Sequence, residues 1–402
     1  MLRGRVVKIL QVTNFFKPSW ESGGPARVAY EISKKLVERG HDVTVYTTDG
    51  FNVRLNVEKN KPVFVDGIKT YYFRNLSSYL ARKAFFPIPY YLPIVARKEI
   101  KNFDIIHIHE HRTILASVVH HYAKRYNVPY ILQSHGSVFP LFQKQLLKNK
   151  CGQFLGNDVL RCASRVIALN YNEAEQYKIM DVKNEKIIIL PNGIDAFKYA
   201  NINNACGGFI KKYGIGRNKK LILYLGRLNK TKSIDLLINA FSDLSAKLDN
   251  TILILAGPGG DYQSTLEDLV RALNLNDKVL FTGFISDEEK RMAFIDSDIF
   301  VTPSFSGFPI TFLESCACGT PIITTSIGDE LGWIHNNVGY VVGNDKDELT
   351  DAMLNILTNE SLRTQFGDKG KQLALTDFDW NNIINKLENN YKDVLTKVYY
   401  NY

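Results

Sequence analysis

Residues 302–325 read TPSFSGFPITFLESCACGTPIITT. A strand-like run, DIFVTPS, enters a loop of Ser, Gly and Pro. A short helical run follows, and Gly319 and Pro321 end it before the β-branched run IITT. This order predicts a βαβ unit, in which a ligand lies at the carboxyl end of the strand, where free N–H groups at the helix start attract anions. Glu314 lies inside the predicted helix, where its carboxylate could face that ligand.

Length and composition favour a two-domain globular protein. The chain has 402 residues, of which 45% are hydrophobic and 12% aromatic, enough to bury a sizeable core. Its five cysteines are odd in number and lack metal-site spacing, so we expect reduced thiols. The start, MLRGRVVKILQVT, has too short an apolar run for a signal peptide. We therefore expect a cytoplasmic protein.

The charge is unevenly divided between the two halves of the chain. Residues 1–200 contain 30 Lys and Arg against 16 Asp and Glu, whereas residues 201–402 contain 20 against 25. A basic half attracts nucleic acid, an anionic membrane surface or a phosphorylated substrate, and charge alone does not choose among them. Zinc spacing, a helix-turn-helix pattern and an RNP-like aromatic run are missing from the sequence, so we expect no nucleic-acid partner.

The first strand, in VVKILQVTN, ends in the loop FFKPSWESGGP. Pro25 suits a first helical turn, and the apolar residues of the following helix recur at four-residue spacing. Gly23 and Gly24 therefore stand at a strand-to-helix turn, where the lack of a Cβ lets backbone approach a phosphate or a sugar. A purely structural tight turn is the alternative, because the full G-x-G-x-x-G pattern is missing.

The segment 79–101, YLARKAFFPIPYYLPIVARKEIK, mixes aromatic residues with Lys and Arg. Its apolar run is interrupted by three prolines and is shorter than the roughly 20 residues that a membrane-spanning helix needs. Aromatic residues flanked by cations are typical of a segment lying on a membrane surface. A solvated loop over the domain core is the alternative.

Histidines cluster in two predicted strands of the first half. In FDIIHIHEH we expect His107 and His109 to point to opposite faces of a buried strand, and no carboxylate or cysteine has suitable spacing for a metal site. His135 ends the strand PYILQSH, at the edge of the sheet where ligands bind, and can donate a hydrogen bond to a phosphate or a sugar hydroxyl. An ordinary loop hydrogen bond is the alternative for His135.

The second half begins after the turn PNGID, and we place the domain boundary near residue 195. The run KKLILYLGRLNKTKSIDLLINAF again predicts a strand, a loop and a helix, with Ser233 as the N-cap. Arg227 and Lys232 flank this loop, and two cations beside a helix start could clamp a diphosphate; ordinary surface charge is the alternative. The tail after FDW has apolar residues at helical spacing and predicts a terminal helix.

Seven features in order carry a family resemblance: the glycine pair, PNGID, GRLNKTKSIDLLINAF, LAGPGG, VLFTGFIS, the stretch 302–325 and the terminal FDW helix. Over nearly its whole length the chain resembles the retaining glycosyltransferases of family 4. The resemblance implies an α/β protein of the GT-B fold, in which two Rossmann-like domains face a cleft. Residues 1–195, joined by a returning C-terminal helix at 377–402, would bind the acceptor, and residues 196–376 would bind a nucleotide-sugar donor.

The resemblance also implies roles for single residues. Arg227 and Lys232 match the pair that neutralises the donor diphosphate, and His135 matches the histidine beside the transferred sugar, so these three are the expected catalytic residues. Glu314 matches the carboxylate that holds the ribose hydroxyls. The expected donor-binding set also contains Gly23, Gly24, Ser306, Gly307, Phe308, Pro309 and Ile310. No metal and no cofactor are expected, because the nucleotide sugar is a substrate and fixed cations and N–H groups meet the leaving diphosphate.

Ser306 departs from the family pattern. The family has a glutamate eight residues before the one that Glu314 matches, and a serine hydroxyl can hydrogen-bond a sugar hydroxyl but supplies no charge. Since the diphosphate clamp and the ribose carboxylate remain, we expect an active retaining transferase with an altered sugar preference. Its expected acceptor is lipid-linked or a polysaccharide precursor at the cytoplasmic face of the membrane. A non-catalytic nucleotide-sugar-binding protein of the same fold is the alternative. An epimerase or phosphorylase of that fold would need a cofactor-binding lysine or a pair of carboxylates, and the sequence shows neither.

Overall fold

The computed structural model describes residues 5–51, 53–83, 87–138, 156–200, 206–305, 307–325 and 331–400. The chain divides into two compact units. The N-terminal unit comprises Met1–Asn192 with Trp380–Tyr402, and the C-terminal unit comprises Gly193–Asp379. Each unit contains one β-sheet flanked by helices.

The N-terminal unit is built on an eight-stranded sheet. Its strands are β1 (Lys8–Val12), β2 (Asp42–Thr48), β3 (Pro62–Val65), β4 (Ile68–Phe73), β5 (Ile105–His109), β6 (Tyr130–Gln133), β7 (Arg165–Ala168) and β8 (Ile187–Ile189). The order across the sheet is β3-β4-β2-β1-β5-β6-β7-β8, with β3 antiparallel to β4 and the other neighbours parallel. The labelled helices are α1 (Gly24–Glu38), α2 (Ser78–Lys83), α3 (Leu92–Glu99), α4 (Ile114–Tyr126) and α5 (Tyr171–Ile179).

The C-terminal unit is built on a six-stranded parallel sheet. Its strands are β9 (Lys220–Leu225), β10 (Thr251–Ala256), β11 (Val279–Gly283), β12 (Ile299–Thr302), β13 (Ile322–Thr325) and β14 (Gly339–Val342). Its helices are α6 (Phe197–Ala200), α7 (Gly208–Lys212), α8 (Ile234–Lys247), α9 (Gln263–Ala272), α10 (Asp287–Asp296), α11 (Ile310–Cys318), α12 (Lys346–Thr358) and α13 (Glu360–Thr376). The strand order β11-β10-β9-β12-β13-β14 is that of a Rossmann sheet.

The last helix, α14 (Trp380–Tyr400), belongs to the N-terminal unit although it follows the C-terminal unit in the chain. The helical spacing predicted for the tail is confirmed, because Ile383, Leu387 and Tyr391 are buried along one face of this helix. In α1 the same periodicity buries Val28, Ile32 and Leu36. Each unit therefore has its own apolar core between sheet and helices.

The strands are hydrophobic on both faces because helices cover both faces of a parallel sheet. β12 and β13 are buried along their whole length, as the runs IFVT and IITT predict. Among the described residues, no helix combines the length and the apolarity that crossing a membrane requires.

Candidate functional site

The carboxyl edge of the C-terminal sheet contains the point where the strand order reverses. β9 and β12 are neighbours there, while the chain continues from β9 to β10 on one side and from β12 to β13 on the other. Ligands of open α/β sheets bind at such a switch point. The loops 226–233 and 303–309 leave from it, and the Ser304 hydroxyl joins them by donating to the Thr231 carbonyl at 2.9 Å.

Backbone hydrogen bonds hold the loop 226–233 in place. The Gly226 N–H donates to the Ala256 carbonyl and the Leu228 N–H to the Pro258 carbonyl, both at 2.9 Å. Gly257 has a φ of 140°, and a Cβ there would lie 2.0 Å from the Gly226 carbonyl oxygen. Only glycine fits this close approach, so the two loops that follow β9 and β10 are locked together.

Arg227 and Lys232 lie on this loop, as the sequence predicts. Lys232 is partly buried, and burial together with the neighbouring Arg227 lowers its pKa. Within the described part of the chain neither side chain forms an ion pair. Two like charges held close together without a counter-charge form a preorganised site for an anion.

Lys232 is followed by a strained residue. Ser233 has a φ of 50°, in the left-handed region, and its hydroxyl makes no capping bond to α8. The prediction that Ser233 caps this helix was therefore wrong, because a capping side chain needs an extended backbone. Strain in a non-glycine residue often accompanies a ligand-binding loop.

The second loop leads into the N-terminus of α11. Gly307 has a φ of 66°, and Pro309, the residue before the helix, offers no side-chain cap to the first N–H groups of Ile310 and its successors. Such uncapped N–H groups favour an anion. The Phe308 side chain stacks on Trp333 with ring centroids 5.7 Å apart, which anchors the loop. Ser306 lies outside the described residues.

Glu314 is not a free carboxylate. It is 5% exposed, and its Oε1 accepts hydrogen bonds from Lys290 Nζ at 2.5 Å and from the Tyr199 hydroxyl at 3.1 Å. Burial and this carboxylate raise the pKa of Tyr199. Glu314 Oε2 accepts no hydrogen bond from any described residue, which leaves it for the predicted contact to ribose hydroxyls. The sequence missed Lys290 and Tyr199, because no local spacing connects them to Glu314.

The glycine pair of the N-terminal unit stands between β1 and α1. Gly23 has a φ of 112° and a ψ of −160°, a conformation available to glycine and strained for other residues. Gly24 begins α1 and Pro25 follows it, while Gly23 at the N-cap offers no side-chain oxygen. The first N–H groups of this fifteen-residue helix are thus uncapped by a side chain, as at α11.

His135 is half-buried and ends a hydrogen-bonded series of side chains whose other members are buried. Its Nε2 lies 2.8 Å from His109 Nδ1, and His109 Nε2 lies 2.8 Å from Gln11 Oε1. Gln11 Nε2 donates to the Tyr391 hydroxyl of α14 at 3.3 Å, and that hydroxyl lies 2.8 Å from His107 Nδ1. These hydrogen bonds connect His135 to residues of β1, β5 and α14 and thereby fix the orientation of its ring.

The prediction that His107 and His109 point to opposite faces was wrong. Residues two apart in a strand share a face, and the two rings stack with centroids 4.3 Å apart. Burial lowers the pKa of His107 and of His135 to about 3, and that of His109 well below its usual value. His135 is therefore a neutral hydrogen-bonding group rather than a cation. The described residues contain no group of three potential metal ligands.

The turn that contains His135 is held from α5. His135 itself has a φ of 54°. The Gly136 N–H donates to Glu173 Oε1 at 2.7 Å, and the Ser134 N–H donates to the Tyr177 hydroxyl at 3.0 Å. These contacts preorganise the turn before any ligand binds.

The fold has well-matched relatives among solved structures. Anabaena HepE, solved in complex with UDP and glucose, superposes with a TM-score of 0.76 at 18% sequence identity, over 96% of this chain and 100% of that chain. The two Rossmann-like units and the last helix that returns to the N-terminal unit are those of the GT-B fold.

Sequence comparisons identify the family. A model for glycosyltransferase family 4 matches residues 22–196, and a model for group 1 glycosyl transferases matches residues 209–373. The chain is 26% identical to N-acetyl-alpha-D-glucosaminyl L-malate synthase of Bacillus anthracis, over 93% of this chain and 94% of the relative. It is 30% identical to a GDP-mannose-dependent phosphatidylinositol monomannoside mannosyltransferase of Mycolicibacterium smegmatis, over 48% of this chain and 52% of the relative. The chain belongs to the family 4 glycosyltransferases, and its activity is glycosyl transfer.

Proposed function

We propose that this protein is a retaining, metal-independent glycosyltransferase that moves a sugar from a nucleotide-sugar donor to a lipid-linked or polysaccharide-precursor acceptor. The donor binds the C-terminal unit and the acceptor binds mostly the N-terminal unit. One observation carries the donor assignment: Arg227 and Lys232 lie without an ion-pair partner among the described residues at the switch point of the sheet. The uncapped N-terminus of α11 follows the other loop at this point.

The chemistry of sugar transfer fits this arrangement. Breaking the sugar–phosphate bond builds positive charge on the ring and negative charge on the departing diphosphate. We propose that Arg227, Lys232 and the uncapped N–H groups of α11 bind this anion and take the role that a metal ion has in other transferases. A double-displacement route would need a well-placed carboxylate nucleophile. We assign none, and propose front-face attack with the leaving phosphate as the base.

The membrane part of the proposal rests on the basic N-terminal half and on an exposed apolar surface. Leu76, Tyr90 and Ile94 are 66%, 50% and 48% exposed. The Leu76 N–H donates to the Ile88 carbonyl at 2.9 Å, which brings the segments before α2 and before α3 together. The last turn of α3 adds the cations Arg97 and Lys98. Such a surface suits peripheral binding to the anionic cytoplasmic face of a membrane. Residues 84–86 of the predicted surface segment lie outside the described residues.

A donor screen with and without a chelator tests the proposed reaction. The purified protein is incubated with UDP-, GDP- and ADP-sugars, with polyprenyl-phosphate-linked and glycolipid acceptors, and with vesicles containing phosphatidylglycerol. We expect transfer or slow donor hydrolysis with at least one donor, with the anomeric configuration retained and the rate unchanged by EDTA. Nucleotide binding without any turnover would favour the non-catalytic alternative, and loss of activity in EDTA would contradict metal independence.

Ser306 provides a test of donor choice. Ser306→Glu restores the charge of the family's first glutamate, and a carboxylate binds sugar hydroxyls more strongly than a serine hydroxyl does. We therefore expect the variant to change the ranking of donor sugars in the same screen, with UDP and GDP affinities unchanged. An identical ranking would mean that residue 306 does not contact the sugar. Ser361→Glu is the matched control, because it adds the same charge at an exposed serine in the first turn of α13.

A further inference from the structure

The hydrogen-bonded side chains that end at His135 have a direction as well as a position. We call them the histidine series, which runs through His135, His109, Gln11, Tyr391 and His107 in that order. Apart from His135, its members are at most 2% exposed, so their hydrogen bonds are made within the protein. Burial lowers the pKa of each of the three histidines, so all three rings are neutral at neutral pH. A neutral imidazole has one N–H donor and one acceptor nitrogen, so each proton can be placed.

The side-chain amide of Gln11 sets the direction of the series. Its Nε2 can only donate a hydrogen bond and its Oε1 can only accept one. Nε2 faces the Tyr391 hydroxyl and Oε1 faces His109 Nε2, so His109 carries its proton on Nε2. His109 Nδ1 therefore has a lone pair and accepts. The nitrogen that lies 2.8 Å from it, His135 Nε2, must be the donor.

The far end of the series agrees with this direction. The Tyr391 hydroxyl accepts from Gln11 Nε2, which leaves its single proton for His107 Nδ1 at 2.8 Å. His107 then carries its own proton on Nε2. Burial lowers the pKa of His107 and the Gln133 side chain acts against this, as an acceptor near a ring N–H does. In the reverse direction His107 Nε2 would have no proton to offer.

The remaining nitrogen of His135 is therefore a hydrogen-bond acceptor. With the proton on Nε2, the lone pair of the neutral ring is on Nδ1, which forms no hydrogen bond within the described part of the chain. His135 stands two residues after the end of β6 and is partly exposed, unlike the rest of the histidine series. A sugar hydroxyl can donate to this nitrogen, whereas the ionised diphosphate of a nucleotide sugar has no proton to donate.

We propose that the buried members of the histidine series position His135, because they hold it in one neutral tautomer whose Nδ1 accepts a hydrogen bond from a hydroxyl of the sugar substrate. This proposal rests on the proposed function, in which His135 lies beside the transferred sugar. It replaces the expectation that His135 donates to a phosphate. It also gives Tyr391, and with it the last helix, a role in the site in addition to packing against the N-terminal unit.

Nitrogen-15 NMR of the full chain, labelled on histidine, tests the tautomer directly. A ring nitrogen with a proton and one with a lone pair have well-separated chemical shifts, and the signals missing from His135→Gln identify those of His135. We expect a protonated Nε2 and an unprotonated Nδ1 in the parent. In Tyr391→Phe the Gln11 amide loses the partner that orients it, so a protonated His135 Nδ1 should appear. A proton on Nδ1 in the parent, or unchanged His135 signals in Tyr391→Phe, would overturn the proposal.

Kinetics with the best donor and acceptor pair measure the effect on catalysis. Tyr391→Phe keeps the buried ring and removes only its hydroxyl, and we expect kcat to fall about tenfold, as the loss of one hydrogen bond predicts. The affinity for UDP or GDP should be unchanged, since we propose that the nucleotide binds the C-terminal unit. Tyr130→Phe is the matched control, because it removes another buried hydroxyl that lies 3.0 Å from a histidine, His120, outside the histidine series. It should leave kcat and the His135 signals unchanged.

Two replacements of Gln11 separate positioning from packing. In Gln11→Glu an ionised carboxylate can only accept, so it still requires the proton on His109 Nε2, whereas Gln11→Met has a similar length and does not bind that proton. We expect Gln11→Glu to keep the parent tautomer of His135 and a kcat about tenfold above that of Gln11→Met. If Gln11 only fills space, the order should be the opposite, because a buried carboxylate is less favourable than an apolar side chain. That opposite order would contradict the proposal, and Tyr391→Phe still tests it if Gln11→Glu does not fold.

Failure of the proposed function would have a different signature. A parent that binds no nucleotide and turns over no donor would contradict the proposed function and, with it, the sugar contact of His135. An active parent in which Tyr391→Phe changes neither kcat nor the His135 signals would overturn the role of the histidine series and leave the proposed function standing.

Discussion

Arg227→Ala and Lys232→Ala are each expected to lower kcat by roughly 30- to 1000-fold at saturating substrates, a loss of about 2–4 kcal/mol of transition-state stabilisation. The negative charge on the diphosphate grows as the sugar leaves, so a fixed cation stabilises the transition state more than the bound donor. The measurement is kcat in the best donor and acceptor pair from the screen. If both variants kept full kcat, the diphosphate clamp would lie elsewhere.

Stability and a neighbouring lysine provide the controls for these two variants. Lys232 is partly buried beside Arg227, and neither has an ion-pair partner in the described part of the chain, so removing one charge relieves repulsion. We expect thermal midpoints at or above that of the parent, which separates loss of catalysis from loss of fold. Lys230→Ala removes another cation of the same loop, one to which no donor contact is assigned, and should leave kcat within about twofold.

The sequence predicted the strand and helix order because periodicity and turn residues are local signals. The loops after β9 and β12 could be predicted to bind a ligand, because each lies in a strand-loop-helix pattern that is readable in the sequence. The GT-B fold and the family are confirmed, whereas the roles of the site residues stay predictions. The sequence therefore located the candidate donor loops but not the side chains that surround them.

Side-chain partners far apart in the chain were not predictable. The series of hydrogen bonds between His135 and Tyr391 joins residues of three strand regions and the last helix. The hydrogen-bond partners of Glu314 come from α6 and α10. Such pairings depend on tertiary packing, which no spacing of residues encodes. The error on His107 and His109 was different, since the two-residue strand period itself places both on one face.

The Glu314–Lys290 pair raises the question of whether the carboxylate is structural, donor-binding or both. The two side chains are 6% and 13% exposed, and their atoms lie 2.5 Å apart. Among the described residues, Glu314→Gln leaves the buried ammonium of Lys290 with the more exposed Asp287, at 3.2 Å, as its remaining counter-charge. We expect the free energy of unfolding, measured in urea, to fall by about 3 kcal/mol, at the lower end for a broken buried pair.

A second substitution separates the two roles of Glu314. In Glu314→Gln with Lys290→Met, no buried charge is left unpaired, and an apolar side chain of similar length replaces the lysine, so most of the lost stability should return. The affinity for UDP or GDP should remain at least tenfold below that of the parent in both the single and the double variant, because the contact to the ribose hydroxyls needs the charge of the carboxylate. Full nucleotide affinity in the restored double variant would make Glu314 a structural residue only. Reduced affinity in a stable protein would instead support a donor contact by Oε2, which accepts no hydrogen bond from the described residues, since no loss of fold would then explain the loss of binding.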